Sequence, residues 1–215
     1  MSTGFPDATR TTGRRTFPTE LLSREMMRPI ANTRSVSGVP TGRLAVWWVV
    51  VSEIFIFGGL LAPYVMHRLA HGAWAEQAAH TNTWIGAFNT LVLLTSSLSA
   101  VLAHQAAEGG DGKKAARLLG ATMFGGIVFI TVKGFEWAGE ISRGYTITSD
   151  TFWSFYYTAA GLHALHVIAG VFIMGIVAND ARKGLELHRV ELIGIYWHFV
   201  DLVWIFLFPL LYIAK

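Results

Sequence analysis

The chain has 215 residues, of which 53% are hydrophobic and only 14% are charged, and it contains no cysteine. A soluble domain this apolar would expose hydrophobic surface and aggregate, so the composition indicates a membrane protein. The absence of cysteine excludes disulfides and thiolate metal sites. The net charge of +3 needs no nucleic-acid partner, because anionic lipid headgroups can serve as counterions.

The first 42 residues differ in composition from the rest of the chain. They contain four prolines, many serines and threonines, and six arginines. No apolar core of about 7–15 residues precedes a cleavage site, so a cleaved secretory signal is not predicted. We expect residues 1–42 to be a basic, disordered cytoplasmic arm. A transit peptide is the alternative, and the three acidic residues of the segment weaken it.

Five apolar segments follow the arm, and each is long enough to cross a bilayer. A helix needs about 20 apolar residues to span a hydrocarbon core of about 30 Å. The segments lie at about 44–66, 84–104, 117–137, 152–178 and 190–213. The sequence therefore predicts an all-α integral membrane bundle of five transmembrane helices, formed by residues 43–215.

The basic residues between the segments predict the orientation of the bundle. Cytoplasmic loops retain Lys and Arg, whereas translocated loops lose them. Thirteen of the 17 Lys and Arg residues lie on one side of the membrane, in the arm with Arg43, the 105–117 loop and the 179–189 loop. The opposite side carries only Arg68, Arg143 and Lys215. We expect the N-terminus to be cytoplasmic and the C-terminus to be external or periplasmic.

Five ionisable side chains inside the predicted spans are candidate site residues: Glu53, His163, His166, His198 and Asp201. Ionisable groups are costly in hydrocarbon, so those present usually serve function or assembly. His163 and His166 are three residues apart in the fourth span, and His198 and Asp201 are three residues apart in the fifth. This i, i+3 spacing places the two residues of each pair on the same helix face. We expect one buried polar cluster between the helices. Glu53 would be either proton-responsive or a neutral acid in an interhelical hydrogen bond.

A metal centre is the alternative interpretation of this cluster, because histidine and carboxylate are suitable ligands. A di-iron helical bundle needs two Glu-x-x-His motifs and two further glutamates. The chain has no Glu-x-x-His motif, although haem between histidines on facing helices is geometrically compatible. We predict no metal, no cofactor and no catalytic residue in this chain.

The end of the third span carries a charged pair beside a tryptophan. Lys133 and Glu136 are one turn apart, so they can pair, or Lys133 can extend its ammonium group to the headgroups. We expect Lys133, Glu136, Trp137 and Trp197 at interfacial positions. They would form an interfacial ion pair with aromatic anchors, or a lipid-headgroup site.

Five segments in chain order resemble the helices of subunit III of the haem-copper terminal oxidases, the family that includes cytochrome c oxidase. They are SEIFIFGG at 52–59, NTLVLLTSS at 89–97, FEW at 135–137, GLHALHV at 161–167 and YWHFVDLVWIFLFP at 196–209. The resemblance extends over about 43–213. It implies the short, five-helix form of this subunit.

The resemblance also implies a function and a set of partners. Subunit III holds no redox centre and lies against catalytic subunit I, while subunits I and II carry the haem and copper. The dinuclear copper centre of subunit II needs two thiolates, so a chain without cysteine is not that subunit. The implied role is to support proton uptake and stability of the catalytic subunit in a bacterial inner membrane, with bound phospholipids. Any enzymatic activity would belong to the complex.

Three alternatives remain at this stage. Quinol oxidases and an accessory protein of nitric-oxide reductase share the fold, although the YWHFVD run at 196–201 favours cytochrome c oxidase. A stand-alone proton or solute carrier would use Glu53 and the histidines as a relay. Transporters often contain inverted repeats, and the two halves of this chain do not resemble each other.

Overall fold

A computed structural model describes residue 38 and residues 40–70 and 74–213. The chain divides into two units, Met1–Gly42 and Arg43–Lys215. The prediction of a disordered arm falls almost entirely outside the described residues.

Helices account for nearly all of the described residues. In chain order they are α1 (Thr41–Ala70), α2 (Trp74–Ala78), α3 (Thr83–Glu108), α4 (Gly112–Ser142), α5 (Thr151–Arg182) and α6 (His188–Phe208), followed by a π-helical segment (Pro209–Ile213). Five helical segments are long and apolar enough to cross a membrane: α1, α3, α4, α5, and α6 with its π-helical extension. The predicted all-α fold with five transmembrane helices is confirmed.

Helices α3, α4 and α5 are several residues longer than their predicted apolar spans, and polar side chains cap their N-termini. Asn82, Asp111 and Asp150 precede these helices, and each side chain accepts a hydrogen bond from a backbone N–H of the first turn. At the other end of α3, Gly110 has a positive φ of 79°, and the Asp111 N–H donates to the Ala106 carbonyl at 2.9 Å. Hydropathy predicts only the apolar centre of each helix, whereas the caps determine its ends.

Helices α3 to α6 form a closed four-helix bundle. Each helix of this bundle packs against two others: α3 against α4 and α6, and α5 against α4 and α6. The connections at 109–111, 143–150 and 183–187 are short, so successive helices run antiparallel. The large side chains buried at its centre include Phe129, Trp197 and Trp204.

Two glycines of α4 allow close packing inside this bundle. A Cβ atom on Gly126 would lie 2.7 Å from the Trp197 ring and from Val171, and one on Gly125 would lie 2.7 Å from Ser96 Cβ. Small residues at such positions let membrane helices approach each other closely. Sequence position alone does not identify them, since other helical glycines, such as Gly134, have open space around them.

Helix α1 lies outside the four-helix bundle and packs against it along one narrow seam. Six of the buried and partly buried positions of α1 follow alternating steps of four and three residues: Val46, Val50, Glu53, Phe57, Leu60 and Tyr64. This spacing is that of a left-handed coiled-coil seam. The seam faces α5 and the C-terminal segment, because Glu53 contacts His166 and Tyr64 contacts Leu210. Most of the remaining α1 surface is exposed, and much of it is apolar, as expected for a lipid-facing or partner-facing surface.

Candidate functional site

Four side chains form a polar network inside the bundle, here named the Lys133 network: Lys133, Glu136, Tyr156 and Tyr212. Lys133 Nζ lies 2.9 Å from Glu136 Oε2 and donates to the hydroxyls of Tyr156 at 3.1 Å and Tyr212 at 2.5 Å. The Tyr156 hydroxyl also donates to Glu136 Oε1 at 3.2 Å. Lys133 is 1% exposed and both tyrosines are 0% exposed. The ammonium group is therefore paired and fully hydrogen-bonded, the condition under which a buried charge is tolerated.

The C-terminal π-helical segment positions Tyr212 in this network. Pro209 has no backbone N–H to continue the α-helical ladder, and the helix changes to a π-helix at this residue. Hydroxyl groups from other segments donate to the carbonyls of this segment. Tyr64 donates to the Leu210 carbonyl at 2.5 Å, and Thr83 donates to the Tyr212 carbonyl at 3.1 Å. Together with the hydrogen bond from Lys133 to Tyr212, these contacts attach the π-helical segment to α1, α3 and α4.

Glu53 and His166 form an ionisable contact between α1 and α5. Glu53 Oε2 lies 2.9 Å from His166 Nε2, and His166 Nδ1 lies 2.8 Å from the Leu162 carbonyl. A carbonyl oxygen can only accept, so Nδ1 carries a proton. The contact between Nε2 and Glu53 is a close approach without hydrogen-bond geometry, since Glu53 Oε2 has no hydrogen-bond partner. A carboxylate beside an imidazolium, or a carboxyl group beside a neutral imidazole, would leave the pair neutral in total charge, which suits an apolar environment.

His163 and Asp201 are buried in the bundle without hydrogen-bond partners. His163 is 0% exposed, and neither of its ring nitrogens has a partner. Its ring stacks on Trp204 at 5.1 Å between centroids and meets the edge of Phe129 at 5.4 Å. Asp201 is 4% exposed, and both carboxylate oxygens lack a hydrogen bond of normal geometry, with Ser97 as a polar neighbour. Buried polar atoms of this kind are normally satisfied by ordered water.

The five predicted site residues are therefore divided among separate contacts and do not form one cluster. His198 Nδ1 lies 2.6 Å from the Ser97 hydroxyl and so joins α6 to α3. His166 faces α1, whereas His163 faces the aromatic side chains of Phe129 in α4 and Trp204 in α6. The i, i+3 spacing places two residues on neighbouring parts of a helix surface, and in this bundle those parts meet different helices.

Three of the four residues predicted at interfacial positions are buried among the helices, and the fourth, Trp137, is partly buried. Lys133 and Glu136 do pair, but inside the bundle, with side chains 2% and 1% exposed. Trp197 is 0% exposed and donates its indole N–H to the Ser96 hydroxyl at 3.1 Å, so it is a core residue and no interfacial anchor. Trp137 is partly buried, with its ring 5.5 Å from Lys133 Nζ.

Sequence reasoning missed three polar residues of the interior: Tyr156, Tyr212 and Glu140. Glu140 is 3% exposed and lies one turn after Glu136. The spacing Lys133, Glu136, Glu140 places all three charged groups on one face of α4, and this was the available signal. The two tyrosines had no comparable signal, because they contact Lys133 from positions 23 and 79 residues away.

No group of three or more His, Cys, Asp or Glu side chains within the described residues has an arrangement that could hold a metal ion. The three predicted site histidines instead contact a carboxylate (His166), a hydroxyl group (His198) and aromatic side chains (His163). The arrangement can hold and exchange protons, and it can stabilise the contacts between helices.

This fold and interior define a multi-pass membrane protein with five membrane-spanning helices, four of which form a closed bundle around a buried lysine–glutamate pair. The sequence model of the family described as cytochrome c oxidase subunit III matches residues 30–215. The chain belongs to this family, and the resemblance found in its five motifs is confirmed. It is a subunit III of a haem-copper oxidase, a class of chain that associates with other oxidase subunits.

Individual relatives agree with this assignment. Cytochrome c oxidase subunit 3 of Thermostichus vulcanus is 33% identical over 168 residues, which cover 76% of this chain and 82% of the relative. The protein of the same name from Corynebacterium diphtheriae is 32% identical over 170 residues, covering 76% and 83%. The Heme-copper oxidase subunit I+III of Aeropyrum pernix is 31% identical over 183 residues, which are 80% of this chain but only 22% of the relative.

Proposed function

We propose that this chain is the non-redox subunit III of a terminal oxidase of the cytochrome c oxidase type, located in a bacterial inner membrane. The observation that carries this proposal is the family match over residues 30–215, together with the relatives named cytochrome c oxidase subunit 3. Haem and copper would reside in the partner subunits I and II. The chain itself would transfer no electrons.

The relative named subunit I+III supports direct packing against the catalytic subunit. This chain corresponds to 22% of that longer protein, whose name joins the two subunits in one polypeptide. The apolar exposed surface of α1, which includes Trp48, Phe55 and Met66, offers area for such a contact. The basic loops support the orientation with a cytoplasmic N-terminus, because 13 of the 17 basic residues fall on that side.

The Glu53–His166 pair supports a role in proton uptake by the catalytic subunit. Glu53 Oε2 and His166 Nε2 lie 2.9 Å apart, at a contact where α1 meets the bundle. Loss or gain of a proton would leave a net charge at this contact, and the energy of the contact would change. The proposed role is therefore to maintain proton uptake and the structural integrity of subunit I. Phospholipids bound at the surface of the bundle would contribute to that integrity.

Purification of the tagged chain in mild detergent tests the assignment to an oxidase. We expect the eluate to show reduced haem a bands, a large multi-helix partner and a copper-binding subunit. Haem b with a nitric-oxide reductase would instead select the accessory protein, and a second subunit without the dinuclear copper centre, in a complex that oxidises quinol, would select a quinol oxidase. A colourless chain without partners would refute all three.

Substitutions at Glu53 test the proton role in the purified complex. In Glu53→Gln, the amide can still donate to His166 Nε2, but it cannot release a proton. We expect this variant to assemble normally and to take up protons several-fold more slowly during turnover. Ser52→Ala is the matched control, since the Ser52 hydroxyl only donates to the Val49 carbonyl of its own helix. Wild-type uptake rates in Glu53→Gln would mean that the pair is only a structural contact.

A further inference from the structure

Five tryptophan and tyrosine side chains form an unbroken row of ring contacts from the interior of the bundle to the connection between α4 and α5. This aromatic row consists of Trp204, Tyr212, Tyr156, Trp153 and Tyr145, in that order. The centroids of successive rings are 6.2, 5.9, 5.3 and 4.7 Å apart. Ring pairs at such separations are in van der Waals contact.

The two ends of the aromatic row differ in their access to water. Trp204 is 1% exposed, and the next three members are 0% exposed. Tyr145 lies in the connection at 143–150 and is only partly buried, and its ring packs on exposed His80 with centroids 4.8 Å apart. The row therefore leads from a dry interior to a residue that soluble molecules can approach.

Every member of the aromatic row is a side chain that can give up one electron. Phenylalanines touch the row only from the side: Phe129 contacts Trp204, and Phe152 contacts Trp153 and Tyr156. Packing alone would be served by phenylalanine at any position of the row, whereas electron transfer requires indole or phenol at all of them. The chain has no cysteine, so no thiol competes as the site of oxidation.

The hydrogen bonds of the Lys133 network give the buried tyrosines a place for their protons. A tyrosine loses an electron readily only when its phenolic proton leaves at the same time. The Tyr156 hydroxyl donates to Glu136 Oε1 at 3.2 Å, and the Tyr212 hydroxyl lies 3.0 Å from that of Tyr156. Glu136 can therefore accept the Tyr156 proton, and the Tyr156 oxygen can accept the Tyr212 proton. Both residues can form neutral radicals without leaving the bundle.

We propose that the aromatic row conducts oxidising equivalents from the interior of the bundle to its surface. A one-electron oxidant, of the oxygen-radical or high-valent metal–oxo class, takes an electron from Trp204. Tyr212 and then Tyr156 replace this electron in turn, while one proton is held on Glu136. Trp153 reduces the Tyr156 radical, and the proton returns from Glu136 to the Tyr156 oxygen.

The last step takes place at Tyr145. Tyr145 gives an electron to Trp153 and releases its phenolic proton to water. A soluble one-electron donor then reduces the Tyr145 radical, and a proton from water restores the hydroxyl group. In sum, one electron passes from the soluble donor to the oxidant, and every O–H bond that breaks is formed again.

Such a row would protect the interior of the bundle from oxidative damage. A radical that stays at Trp204 has only the bundle itself to react with, whereas a radical on Tyr145 can be reduced from water. Only the source of the oxidant rests on the proposed function, because reduction of oxygen in a neighbouring subunit would generate it. The test below uses this chain alone, so its result does not depend on whether the chain copurifies with an oxidase.

A photosensitiser attached near Trp204 tests whether the row conducts. Ile205→Cys is the attachment site, since Ile205 is 40% exposed, adjacent to Trp204, and the chain has no other cysteine. In the purified full-length chain in detergent, a light flash with an external electron acceptor turns a ruthenium label into a one-electron oxidant. Freeze-trapped samples are then examined by electron paramagnetic resonance, which distinguishes tyrosyl from tryptophanyl radicals.

We expect a tyrosyl radical that ascorbate in the aqueous phase removes and that Tyr145→Phe abolishes. A tryptophanyl radical that stays at Trp204, out of reach of ascorbate, would overturn the proposal without any further variant.

Tyr156→Phe should interrupt the row, because it keeps the ring and removes the oxidisable hydroxyl group. In the described part of the chain, Tyr156 joins Tyr212 to the outer members of the row. We expect loss of the Tyr145 radical and a remaining radical at Trp204 or Tyr212 that ascorbate does not remove. Tyr157→Phe, at the next position of α5, is the matched control, and it should behave as wild type.

A second interruption leaves the Lys133 network intact, in case Tyr156→Phe does not fold. Tyr157 also contacts both Tyr156 and Trp153, with centroids 5.2 and 6.0 Å apart, and could replace a missing Trp153 in the row. The double variant Trp153→Phe with Tyr157→Phe removes both routes and should also abolish the Tyr145 radical. A Tyr145 radical of wild-type yield in either interrupted variant would refute conduction along this row.

Discussion

The closed bundle of α3 to α6 and the outer helix α1 are held in place by different means. In the bundle, every helix packs on two others, and a lysine that is 1% exposed makes three hydrogen bonds. Helix α1 has one seam, with Val50, Phe57 and Tyr64 as its only fully buried residues among those described. Its polar contacts to the bundle include Glu53 with His166 and Tyr64 with Leu210.

The bundle and α1 should therefore respond differently to the loss of a single contact. Removing one partner of a buried network leaves an unpaired charge in a low-dielectric interior, which is costly. A helix held along one seam can shift at lower cost when a contact changes, since regions with few buried contacts open first. A protonation change at Glu53 and His166 would therefore act on the position of α1, while the bundle stays intact. The following predictions are ordered by expected effect and test this contrast.

Lys133→Met should produce the largest loss of stability. The substitution leaves Glu136 buried without its cation, and breaking a buried pair costs about 3–5 kcal/mol. The free energy of unfolding in mild detergent should fall accordingly, and little folded chain should be recovered. The double variant Lys133→Met with Glu136→Leu should recover most of the loss, because it removes both charges. A double variant as unstable as the single one would show that the tyrosine hydrogen bonds, and not the ion pair, carry the stability.

Gly126→Ala should destabilise the bundle by about 1–3 kcal/mol, the usual cost of overpacking. The added methyl group would lie 2.7 Å from the Trp197 ring and from Val171 Cγ2. Gly134→Ala on the same helix is the matched control, since no atom outside its own helix backbone lies within 4 Å of that position. Thermal unfolding of the two variants should differ clearly. Equal stability would show that Trp197 can move aside and that the bundle is less tightly packed than described.

The fold could be predicted from sequence to a greater depth than the site. Five apolar runs were enough to predict five transmembrane helices, because crossing a bilayer imposes length and composition on each helix. The sequence contains no comparable pattern that indicates how each helix is rotated about its own axis. Residues spaced i, i+3 are offset by about 60° around a helix of 3.6 residues per turn. This offset directs His163 into the aromatic core and His166 towards α1.

The Lys133–Glu136 pair shows the same limit in another way. Its spacing predicted the pairing, and the structure has the two atoms 2.9 Å apart. Its depth depends on Tyr156 and Tyr212, which reach it from α5 and from the π-helical segment after Pro209. A local pattern on α4 contains no information about hydroxyls supplied by distant segments. Burial of the pair was therefore not predictable from the sequence, whereas its existence was.

Tyr64→Phe should loosen α1 without unfolding the bundle. The lost hydrogen bond to the Leu210 carbonyl contributes about 1 kcal/mol. Because the chain has no cysteine, single cysteines report on α1 directly. A thiol reagent should label Val50→Cys, on the seam, faster in the Tyr64→Phe background, and should label exposed Val51→Cys at an unchanged rate. Equal labelling of Val50→Cys in both backgrounds would show that α1 is fixed by packing and not by this hydrogen bond.

Arg43→Gln should have the smallest effect, at the opposite end of α1. Arg43 donates to Glu191 of α6 through Nε at 2.6 Å, and the two side chains are 48% and 25% exposed. An exposed ion pair contributes about 0.2–1 kcal/mol and weakens as salt screens it. A double-mutant cycle with Glu191→Gln, read by labelling of Val50→Cys at low and high salt, should give a coupling energy in this range that falls with salt. A larger coupling that salt does not reduce would mean that the start of α1 is held by a desolvated pair. The contrast between a fixed bundle and a loosely held α1 would then apply only to the middle and the far end of the helix.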